Sequence, residues 1–271
     1  MIEAYLDESG IHDGAKVCVI AGYFGSPSRM RKLELEWKRV LASNSFPMED
    51  FHAKDLVKNR DSYPLLKKLA RVISDQKKVY PITWAVLVDD FNSFSLAQRR
   101  FFTGAILDPE TGKLFGSGCP TKPYFAPFQN IVKTITNATP VGGKAHFVFG
   151  LNSKFSSYAL DLFRRFSADA AVEKPYSDWK SKERLGNPLF PLAAKTAQLQ
   201  AADLLVHLTY CAMHKWVMAG APNQNDPRIS KLLDLCHANS RGKGDHVFQD
   251  KKLLRLAVDQ AKKFAPKWQD E

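Results

Sequence analysis

Two hydrophobic patterns alternate along the chain: short, nearly continuous apolar runs, and longer stretches in which apolar residues recur every three or four positions. Residues 2–7 and 16–25 are runs of the first kind and flank Ser9-Gly10-Ile11-His12-Asp13-Gly14, which predicts an antiparallel hairpin. The second run is apolar at almost every position, as in a strand covered on both faces. Ser26 and Pro27 suit the N-cap and first turn of a helix. That helix is expected to reach about Ser43 and to bury Met30, Leu33, Leu35, Trp37, Val40 and Leu41. An amphipathic helix is predicted over 61–76 and a third strand over 79–88. Asp89 and Asp90 then read as caps for a helix over 91–107. Gly and Pro punctuate 108–123, which predicts a loop.

A helix over 124–137 and a fourth strand over 144–149 lead into Gly150-Leu151-Asn152. Another helix is expected at 155–170, then a charged loop over 173–187. Residues 189–192 read as an edge strand, because Pro191 is tolerated only at an edge. A long helix spans 196–218, and two more are expected near 227–238 and 250–264. No repeat or Gly/Ser linker divides the chain. A hairpin followed by alternating helices and strands predicts one α/β domain with a mixed sheet, covered by helices on both faces.

Composition sharpens this picture. The 271 residues are 45% hydrophobic, with 18 Phe and 5 Trp, enough for a large core. The formal net charge of +11 favours a polyanionic partner such as nucleic acid, with ordinary variation in surface charge as the alternative. The four cysteines (Cys18, Cys119, Cys211, Cys236) lack the spacing of a zinc or redox motif. The acidic start lacks the features of a signal peptide, and the apolar stretch near 199–220 is interrupted by Asp203, His207, His214 and Lys215. A reduced cytoplasmic protein with buried thiols is expected.

Three stretches carry candidate chemistry. Asp7 and Ser9 are two apart on a strand, so they share a face, and Glu8 faces the other way. The same residues would also suit a simple turn. Asp203 lies in a helix too apolar to be a surface helix, where an unpaired carboxylate is costly. Helical spacing places Thr196, Gln200, Asp203, His207, Tyr210 and His214 on one stripe, either the lining of a cleft or a solvated face. His52 and Asp55 are three apart on one helical turn. Lys154, just past the fourth strand, is placed to meet a phosphate or solvent. No phosphate-binding Gly loop, Gly-x-Ser-x-Gly elbow or His-Glu-x-x-His is present.

Four segments together resemble the domain-of-unknown-function 3800 family: Tyr5-Leu6-Asp7-Glu8-Ser9-Gly10, Phe51-His52-Ala53-Lys54-Asp55-Leu56, His146-Phe147-Val148-Phe149 and Leu199-Gln200-Ala201-Ala202-Asp203-Leu204-Leu205. The resemblance spans about residues 1–215 and implies a ribonuclease H-like fold. It implies a mixed sheet of about five strands, the first three antiparallel, flanked by helices, with extra C-terminal helices near 220–271. It further implies a nuclease using Mg2+ or Mn2+, since paired ions held by carboxylates can activate water and stabilise a leaving oxygen. Asp7 and Asp203 would be the main ligands, with Glu8, Asp55 and Asn152 completing the site and His52 moving protons or orienting a ligand. Ser9, Gln200, His207 and Lys154 would meet the substrate. Gly150 departs from the family pattern, where an acidic residue commonly follows the fourth strand. A chain that binds nucleic acid without cutting it is therefore the second expectation, and a phosphoesterase acting on a small nucleotide the third.

Overall fold

The computed structural model describes residues 1–116, 118–150, 153–168, 182–219, 226–240 and 246–269. The chain opens with β1 (Ile2–Ser9), β2 (Val17–Gly25), α1 (Pro27–Ser43), α2 (Ala53–Lys58), α3 (Tyr63–Asp75) and β3 (Val79–Leu87). It continues through α4 (Val88–Asn92), α5 (Leu96–Phe102), the small hairpin β4 (Ile106–Leu107) and β5 (Leu114–Phe115), α6 (Phe125–Ala138), β6 (Ala145–Phe149) and α7 (Ser153–Ala168). It closes with β7 (Leu185–Leu189), α8 (Ala197–Ala219), α9 (Pro227–Cys236), β8 (His246–Gln249) and α10 (Lys251–Phe264).

The main sheet has six strands, ordered β7-β6-β1-β2-β3-β8. β2 is antiparallel to both neighbours, and the other pairings are parallel. Five strands therefore end at one edge, the edge outside which ligands bind in open α/β sheets. Every residue of β2 is buried, in keeping with its apolar sequence and central place. Alternation sorts each strand between two cores. Ala4, Leu6, Cys18, Ile20 and Phe24 face a core with Phe128, Phe147, Phe163 and Leu254 from α6, β6, α7 and α10. Val17, Val19, Ala21 and Tyr23 face the other, with Leu33, Trp37, Leu69, Leu204 and Leu232 from α1, α3, α8 and α9. α8 is buried on nearly all sides along its first half, which explains a helix with little polar surface there.

The expected count of five strands is one short. β8 is four residues long, too short for a pattern of its own, and is set by parallel pairing with β3. β7 begins at Leu185 and carries Pro188 on the sheet edge, so the predicted edge strand is displaced from 189–192. The expected helix over 91–107 is two short helices, because Ser95 caps α5 afresh by accepting from Gln98 N–H at 3.2 Å. Asp89 and Asp90 lie inside α4, where Asp89 pairs with Lys16 at 3.0 Å and Asp90 accepts from Lys251 N–H at 2.8 Å. Leu35, expected in the core, is 56% exposed. All four cysteines are free; Cys18 and Cys236 are buried, Cys119 and Cys211 half-buried. No helix among the described residues is long and apolar enough to cross a membrane.

Candidate functional site

β1 does not stop at Leu6. Its pairing with β2 runs on through Asp7↔Ala21, Glu8↔Ile20 and Ser9↔Val19, so the acidic pair lies within the strand. Gly10 then turns the chain at φ +76°, and a Cβ there would lie 1.9 Å from the Val17 carbonyl oxygen, so no other residue fits. Alternation sends Asp7 and Ser9 to the face covered by α8, and Glu8 to the face beneath α6. Glu8 still reaches the rim. Its backbone N–H donates to Asp7 Oδ1 at 3.0 Å, and its charge is near enough to raise the Asp7 carboxyl. On its own face the Glu8 charge adds to the burial that raises the Tyr124 phenol above its ordinary range.

Asp203 projects from α8 onto the same face as Asp7. Its Oδ2 accepts from Ala53 N–H at 2.8 Å, capping the start of α2, where His52 provides no side-chain cap. The Phe-His-Ala segment has a local reason to sit there. Phe51 and Ala53 are buried, and the Phe51 ring meets Trp37 edge-on at 5.5 Å. Trp37 Nε1 donates to Gln200 Oε1 at 3.0 Å, and Gln200 Nε2 donates to the Met48 carbonyl at 2.6 Å. One amide on α8 thus fixes both α1 and the loop that delivers α2. Gln200 is 1% exposed with both ends engaged, so it positions the segment and does not face a ligand as expected.

Electrostatics single out two acids. Burial raises the Asp7 carboxyl well above the usual carboxylate range, and the charges of Glu8 and Asp203 push it further; the Glu8 N–H opposes them. Burial also raises Asp203, while Ala53 N–H and the nearby His52 hold it down and Asp55 pushes it up. Asp203 has two stabilising neighbours, and its charge weighs on Asp7. The second oxygen of Asp203 accepts no hydrogen bond among the described residues and keeps contact with solvent.

The other expected residues fall around this pair. His52 and Asp55 are exposed on α2, near enough for their charges to act on Asp203. His207 lies one helical turn beyond Asp203. Burial and the charges of His52, Lys54 and Lys58 lower its imidazole to about 4, so it is neutral at pH 7. Ser9 closes β1 on the Asp7 face. Gly150 follows β6 directly, and a Cβ there would come 2.8 Å from Asp7 Oδ1. Asn152 and the side chain of Lys154 lie outside the described residues.

Three neighbours were not anticipated. Lys54 and Lys58 stand on α2 beside His207, and Cys211 Sγ is 3.4 Å from His207 Nε2. Cys211 is four residues from His207, a helical spacing visible in the sequence. The lysines sit within or just after the Phe-His-Ala segment.

No family model and no curated protein matches the chain. The site therefore stands on its own geometry. Among the described residues no three His, Cys, Asp or Glu side chains form a cluster with metal-holding spacing. Asp7, Glu8 and Asp203 nevertheless are hard oxygen donors. The charges of Glu8 and Asp203 both disfavour ionisation of Asp7.

Proposed function

We propose that this protein is a divalent-metal-dependent nuclease of ribonuclease H-like fold, related to the domain-of-unknown-function 3800 family. One observation carries the reading: β1 and α8 bring two desolvated carboxylates, Asp7 and Asp203, to the same face of the sheet edge, where the charge of Asp203 opposes that of Asp7. Structural ion pairs normally resolve such a conflict with Lys or Arg. Here the neutralising partners at hand are a backbone N–H and the exposed His52. A divalent cation fits the donor chemistry, since carboxylate oxygens are the preferred ligands of Mg2+ and Mn2+.

Asp7 and the solvent-facing oxygen of Asp203 would hold the metal, and Glu8, next in the strand, would complete the set. When bound, the metal lowers the pKa of water and offsets charge on a phosphodiester. Neutral His207 and exposed His52 are placed to accept a proton near the carboxylates. Lys54 and Lys58 set positive charge beside the site, where a phosphate backbone would lie. Cleavage of labelled DNA and RNA, with Mg2+ and with Mn2+, tests the reading. Loss of cleavage in Asp7→Ala and Asp203→Asn is expected; unchanged cleavage in Asp7→Ala sinks it.

A second reading, nucleic-acid binding without cleavage, is favoured by Gly150. The end of β6 bears no acidic side chain at Gly150, and the Asp7 carboxyl fills the space over that glycine. Salt-dependent binding with no turnover in either metal would select it.

A further inference from the structure

The sheet edge that carries Asp7 carries a second feature. β3 and β8 end at the same edge as β1, and α4 and α10 start directly beyond them. Lys251 N–H donates to Asp90 Oδ2 at 2.8 Å, and Asp250 caps Leu253 N–H at 2.8 Å, so the start of α10 is pinned to α4. Leu254, Val258 and Ala261 bury the inner stripe of α10. Lys251, Arg255, Asp259 and Lys262 form the adjoining outer stripe, at helical spacing.

These four line a cavity of about 290 Å³, with Ser93 and Gln98 on the opposite wall. Lys252 stands beside them on the exposed surface of α10. Lys251, Lys252, Arg255 and Lys262 outnumber the one acid among them, Asp259. Lys251, Lys252 and Arg255 enter no ion pair among the described residues. Exposed cations gathered on one helix face, outnumbering the acid among them, suit a chain of phosphates.

We propose that the α10 cleft is a second contact for nucleic acid, gripping phosphates away from the bond held at Asp7 and Asp203. β8 lies three strands from β1 in the sheet, and α10 packs on the face opposite the one that bears Asp7, so a strand reaching both would cross the sheet edge. The proposal rests on the nuclease reading for its ligand alone; the cleft and its charges stand without it.

The test measures binding and cleavage separately, on a long labelled duplex. The variants are Lys251→Glu/Arg255→Glu and the milder Lys251→Gln/Arg255→Gln, each checked for a wild-type melting temperature. Binding of the long duplex is expected to weaken about tenfold or more in the reversal, and the slope of log K against log salt to fall by about 2, with the Gln pair intermediate. Any effect on cleavage is expected to fall on KM. Cleavage by wild type with unaltered binding in both variants overturns the cleft and leaves the nuclease reading standing. No cleavage by wild type, with variant-sensitive duplex binding, supports the cleft and overturns the nuclease reading. Loss of binding to vesicles of anionic phospholipid, with duplex binding unaltered, overturns the proposal in favour of a membrane surface.

Discussion

Asp7→Asn separates function from stability. In the chelated protein at pH 8, Asp7 is an acid that burial, Glu8 and Asp203 all oppose in its charged form. An amide keeps an oxygen for the Glu8 N–H, 3.0 Å away, and removes the charge. Desolvating a carboxylate costs several kcal/mol when burial is complete, but Asp7 keeps some solvent contact, so a smaller share applies. The hydrogen bond from Glu8 weakens by about 1 kcal/mol as its acceptor becomes neutral. The balance is a gain of about 1–2 kcal/mol, or a melting temperature higher by about 2–6 °C for a chain of this size.

The sign with pH follows from linkage. A carboxyl raised in the folded state contributes stability below its unfolded value, and that contribution is lost as pH rises through the folded value. The variant's advantage should therefore be present at pH 8 and largely vanish by about pH 4, where Asp7 is protonated in the folded state and about half protonated in the unfolded one. Adding Mn2+ should reverse the order, stabilising wild type by about 2.7 kcal/mol at about 100 times its Kd and leaving the variant unmoved. Differential scanning fluorimetry from pH 4 to 8, with chelator and with Mn2+, reads all three. A variant less stable than wild type at pH 8 in chelator would refute the reasoning, since Asp7 would then be a stabilising charge.

Asp203→Ala should cost about 1–2 kcal/mol by uncapping α2, and Asp203→Asn much less, because the amide oxygen can still accept from Ala53 N–H; urea titration distinguishes them. Gln200→Ala should cost about 2–4 kcal/mol, because Trp37 Nε1 and the Met48 carbonyl would each lose a buried partner; equal stability by urea denaturation would contradict their role. Burial and the neighbouring His246 lower the His237 imidazole to about 4, so its stabilising contribution is present above pH 6.5 and is lost between 6.5 and about 4. His237→Gln should remove up to about 3 kcal/mol of that acid loss, seen as a flatter stability profile over the same interval. Gly150→Ala should push the Asp7 carboxyl aside and weaken Mn2+ binding by calorimetry, with little effect on melting, because the displaced atoms are at the end of a side chain.

Much of the fold was legible because period and burial agree. β2 is apolar throughout and is buried throughout; α1 opens on Ser26-Pro27 as its caps predict. β8 was illegible because its four residues become a strand only by pairing with β3. The site divides the same way. Asp203 stood out as a lone acid in an apolar helix, and Asp7 as an acid at a strand end. The N–H that holds Asp203 belongs to Ala53, 150 residues away, and no local pattern announces it. Gln200 shares the helical stripe of Asp203 and His207 but turns to Trp37, since a helical period does not distinguish a lined cleft from a buried hydrogen-bond junction. Glu8 alternates away from Asp203 as strand geometry requires, and its length brings its carboxyl back to Asp7.

The most direct measurement is anomalous diffraction from crystals soaked in Mn2+ at pH 8, with an Asp7→Asn crystal treated identically. The account predicts an anomalous peak within ligand distance, about 2–2.5 Å, of carboxyl oxygens of both Asp7 and Asp203. That peak should be absent in the variant. A wild-type map with no peak between those two carboxylates, at Mn2+ concentrations that support cleavage, would contradict it.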